Sequence, residues 1–228
     1  MNIYPSLLET DPQELSADFA RLLPHFDYVQ IDIADGILVP NKTVKIADIK
    51  ALIESPYAEW DLAYNQFEFH LMVQDYASQL KELEELESMY IPNVFIHYKA
   101  LQHTFDELSD HTPFEVGIAL NPDEFVETAW DAIKEFSSIQ LMTVTPGQQG
   151  NPFVPEVLQK ITQLRERGYE GAIILDGGIN EETLKTILQQ PHLPDGVCPG
   201  SYFKADNVVE RLNTLHALAG VAANQVGE

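Results

Sequence analysis

The chain has 228 residues, 45% of them hydrophobic, and a formal charge of −23 at pH 7. This charge argues against nucleic-acid binding, because contact with a phosphate backbone needs clustered Lys and Arg. It contains no run near the roughly 20 apolar residues of a membrane span, and its start lacks the basic and apolar segments of a signal peptide. With Cys198 as the one cysteine, no intramolecular disulfide can form, so we expect a cytoplasmic protein without membrane or nucleic-acid partners.

Apolar strand-like runs alternate with helical patterns along the whole chain. The expected strands are residues 3–8, 28–33, 67–72, 94–97, 116–120, 139–144, 172–175 and 197–198. The expected helices are residues 17–23, 46–53, 76–88, 104–108, 125–136, 157–167, 181–188 and 208–218. This alternation predicts an α/β fold with a parallel sheet. Eight uninterrupted units favour a single (β/α)8 TIM barrel domain over residues 1–228, with an open doubly wound sheet as the alternative.

The C-terminal ends of the strands carry the chemistry in such a barrel. This rule selects a short set of side chains: Ser6, Gln30, Asp32, Asp35, His70, Met72, His97, Met142, Thr145 and Asp176. Asp35 precedes Gly36, a dipeptide typical of a turn, so we interpret it as structural. His97 fits a core or supporting role as well as a role in the site.

Two aspartates, Asp32 and Asp176, follow apolar runs that are far apart in sequence. A carboxylate at the end of a buried strand is costly unless it is paired or does chemistry. Two of them on opposite sides of a barrel can remove a proton next to a carbonyl and return one on the other face. The alternative is that each caps a neighbouring loop or helix.

His70 ends a third apolar run and shares the predicted mouth with the two aspartates. A lone histidine is usually a core residue. Asp, His and Asp together form a mixed nitrogen and oxygen donor set that suits a divalent ion such as Zn, Mn or Fe.

Glycines follow three successive predicted strands near the same mouth, where backbone N–H groups can approach an anion. Each glycine alone is typical of a turn, but the set predicts a phosphate site, the recurring ligand position of these barrels. Its candidate residues are Gly147, Gly150, Gly177, Gly178, Gly200 and Ser201. Because the chain is so acidic, a phosphate would be held by local helix N-termini rather than by the overall field.

Several motifs in this order resemble the ribulose-phosphate 3-epimerase family across nearly the whole chain. They lie at residues 5–8, 32–36, 39–41, 70–73, 142–147, 153–158, 176–180 and 200–203. The resemblance implies a barrel of the ribulose-phosphate-binding type. It also implies inversion of C3 of a phosphorylated ketose, D-ribulose 5-phosphate to D-xylulose 5-phosphate, through an enediolate.

The resemblance further assigns roles to individual side chains. Asp32 and Asp176 would be the acid/base pair and, with His70, would hold a divalent metal ion. His70 and Ser6 would also contact the substrate, and Met72 and Met142 would form an apolar wall. We further expect the chain to form a homo-oligomer.

The chain departs from the family pattern at four positions in or beside these motifs. Gln30 stands where the family has a metal-binding histidine, and Ala34 stands where it has a methionine. Thr145 replaces an asparagine, and Gln149 replaces a glycine of the phosphate loop. The amide oxygen of Gln30 is a weaker ligand than imidazole for zinc-class ions, so we expect lowered affinity and a shift toward Mn or Mg.

These departures leave alternatives to the epimerase reading. One is a catalytically impaired relative that still binds a phosphorylated sugar, and another is a hexulose-6-phosphate 3-epimerase. A lyase of the hexulose-phosphate synthase type is disfavoured, because the segment from Asp32 to Asp35 lacks the lysine of the Asp-x-Lys-x-x-Asp signature in those relatives.

Overall fold

A computed structural model of the chain describes residues 1–58, 60, 62–101, 112–147 and 150–225. The helix expected at residues 104–108 and the substitution at Gln149 lie outside these residues.

Nine parallel strands form one curled sheet, and helices lie between successive strands. The strands are β1 (Asn2–Ile3), β2 (Ser6–Leu7), β3 (Tyr28–Ala34), β4 (Gln66–Met72), β5 (Tyr90–His97), β6 (Glu115–Leu120), β7 (Ser138–Met142), β8 (Ala172–Asp176) and β9 (Gly196–Cys198). Their positions match the expected strands closely, so the predicted barrel is confirmed.

The first expected strand is divided in two, and its halves close the sheet. β1 pairs with β9, and β2 pairs with β3. Between them, the Tyr4 N–H donates to the Val197 carbonyl at 3.3 Å, and the Pro5 carbonyl accepts from the Gln30 N–H at 2.9 Å. Because Pro5 has no N–H to donate, the ladder is interrupted there. The chain still bridges both edges of the sheet.

The helices in the described part of the chain are α1 (Pro12–Leu22), α2 (Ile46–Ile53), α3 (Tyr76–Glu84), α4 (Val126–Ile133), α5 (Gln159–Glu166), α6 (Glu181–Ile187) and α7 (Val208–Gln225). None of them is long and apolar enough to cross a membrane. α1 begins five residues earlier than expected. The reason is local, because the Asp11 side chain caps the Gln13 N–H at 2.7 Å and Pro12 occupies the first turn.

Side chains alternate between the two faces of each strand, as strand geometry requires. Residues that face the helices are apolar and form the main core, among them Ile31, Phe69, Leu141 and Leu175. The inward-facing residues between them include a buried polar group and a smaller apolar cluster. The polar group contains Gln30, Asp32, His70, Gln140 and Asp176, and the apolar cluster consists of Tyr4, Phe95, Ala119, Ile174 and Cys198. The barrel interior is therefore where the polar chemistry of this chain lies.

Gly117 of β6 leaves room for larger residues in that interior. A Cβ atom at this position would lie 2.3 Å from Ser138 Oγ and 2.4 Å from Phe95 Cε1. We expect Gly117→Ala to lower the free energy of unfolding by about 1–3 kcal/mol through overpacking. The matched control is Gly220→Ala in α7, where a Cβ meets nothing within 4 Å and the alanine should raise stability. Urea denaturation of both variants measures the difference, and equal effects would contradict this packing.

Candidate active site

Strand register brings Asp32, His70 and Asp176 together at the C-terminal mouth of the barrel. Asp32 of β3 pairs with His70 of β4, and Asp176 ends β8. The Nδ1 atom of His70 lies 3.1 Å from Asp32 Oδ1 and 3.3 Å from Asp176 Oδ2. All three side chains are buried. One ring nitrogen therefore bridges two carboxylates that are 144 residues apart in the sequence.

The protonation of this group follows from burial and charge together. Burial alone would lower the pKa of His70, but the hydrogen bonds to Asp176 and Asp32 outweigh it and raise the pKa to about 9. Burial raises the pKa of Asp32 to about 6, although the bond to His70 opposes this shift. Without a metal ion, these shifts favour a protonated His70 ring between the two aspartates, and the Asp32 carboxyl holds its proton to a higher pH than usual.

His97 of β5 supports the other side of the His70 ring. The two rings meet edge to edge with their planes 23° apart, their centroids 4.9 Å apart and their Nε2 atoms 2.8 Å apart. Burial, and then the charge on His70, lowers the pKa of His97 well below its usual value. His97 is thus neutral and accepts the Nε2–H of His70, which fixes the ring plane. Of the two roles left open for His97, the structure favours the supporting one.

A small cavity of about 40 Å³ opens at this mouth. Most candidate residues from the sequence line it, namely Ser6, Asp32, Met72, Met142, Gly150, Asp176, Gly177, Gly178, Gly200 and Ser201. Gly147 is not among the lining residues; it has a φ of +95° and packs its backbone against Val39. His70 is not among the lining residues either; its ring is buried between the two aspartates.

Thr143 controls the direction of the backbone between Asp176 and Gly178. Its Oγ1 lies 3.0 Å from the Asp176 carbonyl oxygen and 2.6 Å from the Gly177 carbonyl oxygen, so the single hydroxyl hydrogen is shared between them. Its N–H donates to the Asp176 carbonyl at 2.8 Å. In a trans peptide the N–H points opposite to the carbonyl. The N–H groups of Gly177 and Gly178 therefore point away from Thr143, and both glycines line the cavity.

No Lys or Arg is among the described residues that line the cavity. Lys204, the nearby basic residue of the last loop, is already neutralised. The Nζ atom of Lys204 donates hydrogen bonds to Glu9 and, at 3.2 Å, to Asp18. A ligand at the mouth therefore meets backbone donors and acidic side chains.

Gln30 lies two residues before Asp32 on β3, on the same inner face. Its Nε2 donates to Glu68 Oε1 at 2.6 Å and to Gln140 Oε1 at 2.7 Å. Both amide hydrogens are used, while the buried Oε1 has no hydrogen-bond partner. This orphaned oxygen is a hard donor that is still free to bind a cation or a water molecule.

The chemistry of these donors fits a divalent metal ion. One donor atom each from Asp32, His70 and Asp176 can be chosen so that all three lie within 4.8 Å of one another. Three protein ligands with further positions open are typical of catalytic metal sites. Gln30, on the same inner face of β3, has a buried Oε1 without a hydrogen-bond partner.

Two other departures from the family pattern lie at the rim. Ala34 packs with Val39 and Met72 in a small apolar cluster, so neighbouring side chains cover this position. Thr145 is exposed, and its carbonyl accepts from the Asn151 side chain at 2.7 Å.

Sequence reasoning missed three residues that shape the site: Glu68, Gln140 and Thr143. Glu68 and Gln140 each lie two residues before a candidate residue, His70 and Met142, on an otherwise apolar strand. A polar residue at that spacing shares the inner face of the strand, a signal that could have found both. Nothing in the sequence pointed to Thr143, because its partners come from another strand.

A larger cavity of about 950 Å³ lies elsewhere, between α1 and α7. Its walls come from Arg21, His25 and residues 206–218. Among the described residues, the Asp–His–Asp group lies at the barrel mouth and not in this groove. The chemistry therefore places the candidate site at the smaller cavity.

Comparison with solved structures supports the fold. The chain is similar to a tryptophan synthase alpha-subunit from Pyrococcus furiosus, with a TM-score of 0.66 and 12% identity over 96% of this chain and 98% of the other. It is also similar to 3-hexulose-6-phosphate synthase from Salmonella typhimurium, with a TM-score of 0.63 and 15% identity over the same shares. At these identities the likeness shows a shared barrel fold alone.

Sequence relatives carry more information. A ribulose-phosphate 3-epimerase from Mycobacterium bovis is 27% identical, covering 93% of each chain. Another from Methanocaldococcus jannaschii is 31% identical over 74% of this chain and 73% of its own. A model of the ribulose-phosphate 3-epimerase family matches residues 2–192. The resemblance carried by the motifs is confirmed: the chain belongs to the ribulose-phosphate 3-epimerase family.

Proposed function

We propose that this chain interconverts D-ribulose 5-phosphate and D-xylulose 5-phosphate by inverting C3 with two aspartates. The observation that carries the proposal is the geometry of the acids. Asp32 and Asp176 both lie within 3.3 Å of one His70 nitrogen and both line the mouth cavity. The family and the relatives described above support the same activity.

The proton steps follow from this pair. One aspartate, ionised, removes the proton from C3, and the electron pair forms a C2–C3 double bond with negative charge on O2. The other aspartate, protonated, gives its proton to the opposite face of C3. The pKa of Asp32, raised to about 6, lets this residue hold or release a proton near neutral pH, as acid–base catalysis requires.

The walls of the cavity favour this intermediate. Met72 and Met142 line it and are almost fully buried, so they exclude water from the enediolate without offering it a proton. The cavity of about 40 Å³ has room for a few water molecules. A sugar phosphate is larger than this space, so the residues that line the cavity must move apart for it to enter.

A divalent ion, Zn, Mn or Fe, would be held by Asp32, His70 and Asp176, with Gln30 Oε1 as a weak further ligand. When bound, it supplies positive charge that stabilises the negative charge developing on oxygen. His70 would bind it as a neutral ring and would then give up the proton that it shares with the aspartates.

The phosphate group would bind to backbone N–H groups near Gly178, Gly200 and Ser201. Thr143 turns the Gly178 N–H toward the cavity, and no described basic side chain lines it. Ser6, Gly150 and Gly177 line the same space and complete the proposed substrate contacts. Gly147 would not contact the phosphate directly; it would set the conformation of its loop, because its backbone packs on Val39.

We also propose that residues 1–228 form one barrel domain. The homo-oligomer, the absence of a nucleic-acid partner and the cytoplasmic location stay predictions.

The direct test is NMR of D-ribulose 5-phosphate in D2O with added Mn2+. An epimerase incorporates deuterium at C3 and produces D-xylulose 5-phosphate. An impaired relative would bind the sugar without exchange, and a hexulose-phosphate epimerase would act only on the six-carbon substrate. Either result would overturn the proposal.

We expect Asp32→Asn and Asp176→Asn each to lower kcat by about 10²- to 10⁴-fold while leaving substrate binding largely intact, since each removes one acid–base group. Asp35→Asn is the matched control. Asp35 accepts from the Ile37, Leu38 and Gln74 N–H groups outside the cavity. Its variant should stay within a few-fold of the wild-type kcat. Steady-state kinetics decides, and full activity in both site variants would refute the two-base scheme.

We expect Gly178→Ala to raise KM for the sugar phosphate about tenfold or more, because its Cβ would lie 3.2 Å from Phe153 and Val144 and displace the loop. Gly178 has a φ of +67°, so the alanine also costs about 1–2 kcal/mol of stability. Gly168→Ala is the control for this cost, since Gly168 has a φ of +83° and nothing within 4 Å. If both variants lose stability and neither changes KM, the phosphate does not bind at Gly178.

We expect Gln30→His to bind Mn2+ and Zn2+ more tightly than the wild type, with the larger gain for Zn2+, because imidazole replaces a neutral amide oxygen. Isothermal titration calorimetry measures both affinities without reference to activity. Epimerase activity should rise with metal occupancy in the same variant. Unchanged affinity for both ions would show that position 30 does not reach the metal.

A further inference from the structure

A chain of hydrogen bonds runs through the barrel interior from Asp176 to Glu68. Asp176 Oδ2 accepts from Gln140 Nε2 at 3.0 Å. Gln140 Oε1 accepts from Gln30 Nε2 at 2.7 Å, and Gln30 Nε2 also donates to Glu68 Oε1 at 2.6 Å. All four side chains are buried. Gln140 is thus the one side chain that joins a candidate catalytic acid to this chain of bonds.

Both ends of the chain are anchored, so the direction of each amide is set. An ionised carboxylate accepts and does not donate, so Gln140 turns its NH2 group toward Asp176 when that acid is ionised. Its carbonyl then faces Gln30, which must present its own NH2 group. At the far end, Glu68 Oε2 accepts from Asn93 Nδ2 at 2.8 Å and from the Tyr28 hydroxyl at 3.1 Å. The remaining hydrogen of Gln140 faces Met142 Sδ at 3.7 Å.

The hydrogen bonds that the Asp176 carboxylate accepts from side chains are both made by Oδ2. Oδ2 lies 3.0 Å from Gln140 Nε2 and 3.3 Å from His70 Nδ1. Two donors from different strands, β7 and β4, hold this oxygen and so fix the side-chain torsions. Within the described residues, no hydrogen bond falls on Asp176 Oδ1, and Asp32 accepts a side-chain hydrogen bond only from His70, through Oδ1 at 3.1 Å.

We propose that Gln140 is a positioning residue for epimerisation, one that aims the free oxygen of Asp176 at C3. The inference rests on the proposed function. It makes the two acids unequal: Asp176 has a dedicated amide donor, whereas Asp32 depends on the shared His70 ring. Loss of Gln140 should therefore impair proton transfer on the Asp176 face and spare the Asp32 face.

The test uses Gln140→Met, which keeps the length and volume of the side chain and removes both amide bonds. We expect kcat to fall about 10- to 100-fold with KM within twofold, the range for losing a hydrogen bond to a charged group. Deuterium exchange at C3 should become asymmetric. The epimer whose C3 proton is removed by Asp32 should exchange deuterium faster than it inverts, because Asp32 returns a proton to the same face. The epimer whose C3 proton is removed by Asp176 should be slow in both exchange and inversion.

Ser138→Ala is the matched control. Ser138 lies two residues before Gln140 on the same inner face of β7. Its hydroxyl contacts Asn93 at 3.5 Å and has no bond to Asp32 or Asp176 among the described residues. It should keep kcat and symmetric exchange. Gln140→Asn is a second variant that keeps the amide but shortens its reach, so it should show the same asymmetry if Gln140→Met does not fold.

In the metal-free protein, a readout independent of activity is the 15N spectrum of the His70 ring, whose Nδ1–H lies between both aspartates. Gln140→Met should shift this signal, and Ser138→Ala should not. If the wild type lacks epimerase activity, the proposed function fails, and this spectrum alone then decides whether Gln140 positions Asp176. Symmetric exchange in an active Gln140→Met, a His70 signal unchanged from the wild type, or equal effects of Ser138→Ala would overturn the proposal.

Discussion

The His70 ring between two buried carboxylates is the interaction on which the site depends. An unpaired carboxylate inside a barrel is costly, and the same ring nitrogen relieves Asp32 and Asp176 together. Three strands must therefore keep their register at once. A slip of one residue in β3, β4 or β8 would turn an acid or the histidine outward among apolar side chains. The geometry of the acids is in this way fixed by the sheet itself.

Part of the barrel interior is polar, where bulky branched residues usually fill such barrels, and an apolar cluster around Phe95 and Ile174 fills another part. Gln30, Glu68 and Gln140 occupy positions below the acids, and each is buried and hydrogen-bonded. A buried polar network is stable only when each member has its hydrogen-bond partners, since the loss of one partner leaves the next buried group without a hydrogen bond. The apolar residues that face the helices supply the packing, which leaves the interior free to carry this network. The one unsatisfied member, Gln30 Oε1, lies on the face where a metal ion would bind.

The strand order and the convergence of Asp32, His70 and Asp176 could be predicted from the sequence, because apolar runs ending in charged residues mark the mouth of a barrel. The bonds of Gln140 and Thr143 could not, since they depend on which residues of β7 and β8 lie side by side. Local chemistry explains the other differences. Pro5 interrupts the first strand, and Asp11 with Pro12 starts α1 five residues earlier than the apolar pattern alone indicates.

A chain with a formal charge of −23 that takes a phosphorylated substrate needs its anion donors close to the ligand. A lysine at the mouth would supply charge, but it would also pair with Asp32 or Asp176 and lower the pKa of the acid that must hold a proton. Peptide N–H groups avoid this conflict, because they bind an anion and cannot neutralise a carboxylate. Lys204 is kept away by Glu9 and Asp18. The acidic surroundings and the proposed backbone phosphate site would then meet one requirement, that the proposed acid pair stay free to exchange protons.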